Sequence, residues 1–251
     1  MRSKQFVSKL NATVLFLSLI LVLTSCEKEE NFTETIPSSK VFSNLTGYYK
    51  GSDRGHYYIR QIGNDIFWFG EDPSGIWANV FRGSLSGNTL SGIFYDVPKG
   101  INTGARALTF SVNNSGTVIT KIFGPGFGGN VLTKSNRPSS LPGVRPQGFG
   151  TRNNINDLTA KWKASDGGSY YLRQLGNRIV WFGEQNYQSG LPVWANVAFG
   201  TRSGDTITLD WVDVPKGRNG GSGKLSLKVD NANQMSRVFA TGGFGGRKWE
   251  R

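Results

Sequence analysis

The sequence is poor in the side chains that most often carry out chemistry. It has one cysteine, Cys26, and one histidine, His56, in 251 residues. A single thiol forms no internal disulfide, and one His with one Cys cannot assemble a four-ligand zinc site. A lone His at position 56, aligned with Ser169 in the internal repeat described below, gives no support to a Ser-His or Cys-His pair. It is expected as a surface residue at a strand start. No stretch beyond residue 25 keeps a long 3.6-residue apolar period, and no glycine-rich loop opens a helix, so phosphate cradles of that kind are excluded. The net charge of +12 includes Arg2, Lys4 and Lys9 within residues 1–25. Removing those three leaves 12 − 3 = +9, spread without a run of five basic residues. Nucleic acid is therefore not an expected partner, and no metal or cofactor is expected.

What the sequence does contain is one phrase written twice. Asp53-Arg-Gly-His-Tyr-Tyr-Ile-Arg-Gln-Ile-Gly-Asn-Asp-Ile-Phe-Trp-Phe-Gly-Glu71 returns as Asp166-Gly-Gly-Ser-Tyr-Tyr-Leu-Arg-Gln-Leu-Gly-Asn-Arg-Ile-Val-Trp-Phe-Gly-Glu184, an offset of 166 − 53 = 113. Trp77-Ala-Asn-Val80, Asp96-Val-Pro-Lys-Gly100 and Phe127-Gly-Gly129 return as Trp194-Ala-Asn-Val197, Asp213-Val-Pro-Lys-Gly217 and Phe244-Gly-Gly246. Their offset is 194 − 77 = 117, after an insertion around 185–192 that includes Tyr187. A period this long implies two small domains rather than a solenoid. The boundaries read as 45–134 for the first repeat, 135–156 for a linker with Pro138, Pro142 and Pro146, and 157–251 for the second.

Within each repeat, aromatic and β-branched runs alternate with Gly, Asn and Pro turns, the pattern of short antiparallel strands. Strands are predicted at 47–51, 56–62, 66–71, 76–84, 89–97, 106–112, 117–123 and briefly near 130–133. In the second repeat they are predicted at 159–165, 168–174, 178–184, 193–200, 205–213, 223–230 and 234–240. Gly63-Asn64 and Gly176-Asn177 suit two-residue hairpin turns. That register sets Ile59 opposite Trp68 and Tyr58 opposite Phe69. One hairpin face then carries Tyr57, Ile59, Ile66 and Trp68, and the other Tyr58, Arg60, Phe67 and Phe69. Both are apolar enough to be a core. The fold class is all-β: two tandem antiparallel meanders, closed as small up-and-down β-barrels or folded as β-sandwiches to hide their edges. The cadence Gly83-Ser-Leu-Ser-Gly-Asn-Thr-Leu-Ser-Gly92 and its copy from Gly200 to Thr208 resemble the strand–turn–strand of avidin and lipocalin-like barrels, which favours barrels and carries over no ligand residue.

The N-terminus has a basic start through Lys9, an apolar Ala12–Leu23 too short to span a membrane comfortably, and Leu23-Thr-Ser-Cys26. This resembles the signal peptide and lipobox of bacterial lipoproteins, which implies removal of 1–25 and lipidation of Cys26, a membrane anchor that further acyl chains would strengthen. Glu27-Lys28-Glu29-Glu30 resembles the export signal of Bacteroidetes lipoproteins and implies the exterior face of the outer membrane. Residues 26–44 read as the lipidated Cys and a polar tether.

Three carboxylates recur per repeat: Asp53, Glu71 and Asp96, then Asp166, Glu184 and Asp213. A pair of them could serve glycoside hydrolysis. Turn roles for the aspartates, and pairing of Glu71 and Glu184 with Arg60 and Arg173, are the simpler expectations, so no enzyme is expected. Binding is the leading expectation, because rings flanked by Asp, Asn, Arg and Gln suit sugars. The candidate ligand residues are Tyr58, Arg60, Glu71 and Asn79, with copies Tyr171, Arg173, Glu184 and Asn196. The competing expectation is that these side chains are packed inside. The ligand class is carbohydrate or another surface polymer. A protein partner, met as inhibitor or adhesin, and a structural envelope role are the alternatives.

Overall fold

The computed structural model describes residues 44–139, 154–186 and 190–251. The signal segment, Cys26, most of the tether, Pro142, Pro146 and Tyr187 lie outside the described residues. Among these residues sixteen strands form two closed, fully antiparallel eight-stranded barrels. The first comprises β1 (Gly47–Gly51), β2 (His56–Ile62), β3 (Asp65–Glu71), β4 (Ala78–Ser86), β5 (Thr89–Asp96), β6 (Ala105–Val112), β7 (Val118–Phe123) and β8 (Val131–Ser135). The second comprises β9 (Ala160–Ala164), β10 (Gly168–Leu175), β11 (Arg178–Gln185), β12 (Ala195–Ser203), β13 (Thr206–Asp213), β14 (Ser222–Asn231), β15 (Gln234–Ala240) and β16 (Lys248–Glu250). Each strand pairs with its chain neighbour, and β8–β1 and β16–β9 close the rings. The architecture fits the avidin- and lipocalin-like comparison and decides against sandwiches. β16 was not foreseen: three residues are too few to show alternation, and the closing pair Trp249–Ala164 exists only once the barrel has curled.

The hairpin register is as predicted, with Ile59 opposite Trp68 and Tyr58 opposite Phe69. In the turn only the glycine takes positive φ, +59° at both Gly63 and Gly176. Asn64 and Asn177 stay on the ordinary side, which is the pattern of a turn needing φ > 0 at its first position alone. Inward-facing Tyr57, Ile59, Ile66 and Trp68 join Phe81, Phe94 and Phe110 in the first barrel core. Trp68 stacks on Phe81 with centroids 3.8 Å apart. Eight strands leave an interior just wide enough for side chains, and these rings fill it. The second core is built the same way around Trp162, Trp181, Trp211 and Trp249.

In barrels of this kind the outer face meets water, so burial should alternate along each strand. β6 does alternate in its second half, but β3 and β11 are buried on both faces. The reason is a third apolar cluster between the barrels, containing Tyr58, Phe67, Phe69 and Val80 from one and Tyr171, Val180, Phe182 and Val197 from the other. Phe69 and Phe182 lie face to face at 3.5 Å and 7°. Tyr58 stacks outside Phe69 and Tyr171 outside Phe182, each at 6.2 Å. Equivalent residues meet equivalent residues, as in an isologous dimer interface within one chain.

Candidate functional site

Six of the eight residues expected to meet a ligand face the other barrel instead. Tyr58 and Tyr171 are the outer rings of the stack. Glu71 and Glu184 close an ionic square with Lys99 and Lys216. Lys99 Nζ is 2.8 Å from Glu71 and 2.7 Å from Glu184, and Lys216 Nζ is 2.7 and 2.8 Å from the same two carboxylates. All four are buried. Both ammonium groups also lie over the Phe69 and Phe182 rings at 5.0–5.2 Å. Burial alone would push the Glu71 carboxyl upward, but the two lysines hold it down at about 2. Glu184 is lowered against burial by the same pair. The four groups titrate as a unit rather than as two independent pairs.

The expected pairing of Glu71 with Arg60 and Glu184 with Arg173 is therefore corrected. The arginines reach main-chain oxygens of the opposite barrel. Arg173 donates to the carbonyls of Asp96, Thr103 and Gly104 at 2.6–2.8 Å, and Arg60 to Gly220 at 3.2 Å. Lys99 and Lys216 were missed as partners although each stands in the repeated Asp-Val-Pro-Lys-Gly. Sequence could mark them as repeated but could not bring Lys99 and Glu184, 85 positions apart, together. Covered this way, the face offers no surface to a polymer. His56 also departs from expectation: it is half-buried, its Nδ1 lies 2.7 Å from the Tyr48 hydroxyl, and burial lowers its pKa.

The two remaining candidates, Asn79 and Asn196, point inward and lead to a different site. Asn79 accepts from Trp68 Nε1 and Asn196 from Trp181 Nε1, both at 3.0 Å. Each asparagine lines a cavity at one end of its barrel, where the loops β1–β2, β3–β4, β5–β6 and β7–β8, or their copies, converge. The first mouth, about 230 Å³, is lined by Asp53, Tyr57, Trp77, Asn79, Phe94, Asp96, Asn102 and the Gly126–Gly128 loop that carries Phe127. The second, about 130 Å³, has Trp211 where the first has Phe94. Otherwise its lining residue types are the same at offset 113 or 117, with Asp166, Tyr170, Trp194, Asn196, Asp213 and Asn219 among them. The larger indole accounts for the direction of the size difference.

Local chemistry explains how these groups are held. Asp53 accepts from the Gly55 amide at 3.0 Å, the expected turn role, and also from the Tyr57 hydroxyl at 2.7 Å. Asp166 repeats both bonds with Gly168 and Tyr170. Gly70 and Gly183 have no room for a side chain: a Cβ would stand 2.8 Å and 2.5 Å from the Tyr57 and Tyr170 rings. The strand glycine thus lets each tyrosine lie flat beneath the mouth. Trp77 and Trp194, half-buried, tilt over those tyrosines at 5.6 Å. Asp96 ends β5 before Val-Pro as predicted and accepts from the Gly104 amide at 2.6 Å. Asp213 accepts from Gly221 at 2.8 Å. Burial pushes both carboxyls up to about 6, against those amide bonds.

No protein-family model and no curated protein matches this sequence.

Proposed function

We propose that this chain is a lipid-anchored, non-enzymatic binding protein whose two barrel mouths each take a sugar unit of a larger polymer. The observation that carries this reading is the pair of mouths, alike in the residue types at nine of the ten positions lining each. Each combines a partly exposed indole, a tyrosine and a phenylalanine with Asp and Asn side chains. A sugar presents C–H faces that pack on rings and hydroxyls that seek such acceptors and donors. Cavities of 130–230 Å³ suit one unit of a chain rather than a large ligand. Two sites on one chain raise avidity on a repetitive polymer, where a second contact forms at high effective concentration. The lipobox resemblance at Cys26 supports membrane attachment, and Lys28-Glu29-Glu30 supports display on the outer surface.

The test is pull-down and calorimetry of the full chain in mild detergent with a panel of soluble and insoluble polysaccharides. Saturable binding lost in Trp77→Ala plus Trp194→Ala, with the fold retained by circular dichroism, is the expected result. Binding that survives this double change excludes the mouths. A second reading, a protein partner, draws on Ile122, Phe123, Val238 and Phe239, which are 52–68% exposed on β7 and β15. It predicts a partner lost in Ile122→Ser plus Phe239→Ser and indifferent to the tryptophans.

A further inference from the structure

The chain as a whole is strongly basic, yet among the described residues the charged side chains lining the mouths are carboxylates: Asp53 and Asp96 in the first, Asp166 and Asp213 in the second. Asp53 and Asp166 are each satisfied by a local amide and a tyrosine hydroxyl. Asp96 and Asp213 differ. Each is only 5% exposed. Each accepts a single backbone amide, and neither forms an ion pair among the described residues. The guanidinium groups that act on these carboxylates, Arg173 on Asp96 and Arg60 on Asp213, spend their hydrogen bonds on main-chain oxygens, Arg173 on that of Asp96 itself among others and Arg60 on that of Gly220. A buried carboxylate without a directly paired cation is costly to keep, and the duplication keeps one in both mouths. Beside them lie Tyr57, Trp77 and Phe94, or Tyr170, Trp194 and Trp211, whose faces attract cations.

Building on the sugar reading above, we infer that each mouth selects a sugar unit that carries a positive charge, an amino sugar with a free ammonium group. The ammonium supplies the direct ion pair that Asp96 or Asp213 lacks, while the ring packs against the indole. The basic exterior repels a polycation, so such binding would come from the mouths and not from the general field.

The experiment compares oligomers of β-1,4-linked glucosamine with the same oligomers N-acetylated, titrated into the full chain in mild detergent at pH 7. Salt of about 0.15 M confines exposed charge effects to roughly 8 Å. Tighter binding of the free amine by roughly tenfold or more is expected, the scale of one bond to a charged group. Asp96→Asn plus Asp213→Asn, which keeps an oxygen for the Gly104 and Gly221 amides, should erase the difference. Asn102→Lys plus Asn219→Lys, at exposed rim positions, should weaken the amine form selectively. Equal affinity for both oligomers, binding confined to neutral polysaccharides, or a preference that survives in both double variants overturns the charge selection and leaves the sugar reading standing. No binding to neutral and amino polymers alike overturns both.

Discussion

Replacing Lys99 with Met should destabilise the protein by about 3–5 kcal/mol, the usual cost of removing one partner from a buried ion pair. The structure says why the upper part of that range applies. Lys99 bridges two carboxylates at 2.7 and 2.8 Å, and its side chain is 3% exposed. Met fills the space of the aliphatic stem but leaves Glu71 and Glu184 sharing Lys216, one negative charge in excess inside an aromatic interface. Against a total stability of about 5–15 kcal/mol the loss is large. With a urea slope of about 3 kcal/mol per molar it moves the midpoint down by roughly 1–1.7 M.

The acid limb gives a second reading of the same variant. Glu71 titrates at about 2 when folded, below its ordinary value of 4.5. Its stabilising contribution is therefore complete above about 4.5 and is lost as pH falls through about 2. With one ammonium removed the carboxyls are held down less, so acid unfolding should begin at higher pH. Changing all four together, with Leu for both glutamates and Met for both lysines, should restore most of the loss, because nothing charged is then left unpaired. A single variant that costs under about 1 kcal/mol would refute a dry, paired square. A quadruple variant no better than the single would show that the loss lies in packing and not in charge.

Two further predictions follow from the same geometry. Phe69→Ala removes one half of the 3.5 Å stack with Phe182 and should cost about 3–5 kcal/mol; calorimetry should show the single transition broadening or splitting as the barrels uncouple, and an unchanged trace would contradict the interface. Asp96→Asn should stabilise the fold at pH 7 by about 1–2 kcal/mol, a discounted share of the roughly 1.4 kcal/mol per pKa unit that follows from a carboxyl raised to about 6. Because the folded carboxyl binds its proton more tightly than the unfolded one, wild-type stability from this group falls as pH rises from about 4 to 6, and the gain from Asn should shrink over the same range as pH is lowered. A gain that does not depend on pH would exclude the cause.

The duplication, the hairpin register and the division of β2–β3 into two faces follow from sequence alone. Side chains in a strand alternate with period two, and Gly-Asn fixes the turn that pairs Ile59 with Trp68. Which face is core could not follow from it, because Tyr57, Ile59 and Trp68 are no more apolar as a set than Tyr58, Phe67 and Phe69. Closure settled it by turning the first set into the barrel and leaving the second to the other repeat. Glu71 and Glu184 looked like candidates for a ligand or for Arg60 and Arg173, since sequence neighbours were the only partners in view. Their actual partners, Lys99 and Lys216, arrive from a different loop and a different barrel. The mouths were hidden for the same reason. Asp53, Trp77, Asn102 and Phe127 belong to four loops spread over 75 positions, and only an antiparallel ring brings alternate connections to one end. Local alternation and turn chemistry are written into neighbouring residues, whereas a pocket or an interface is a set of distances between distant ones, and those distances come into being when the barrels close and pack.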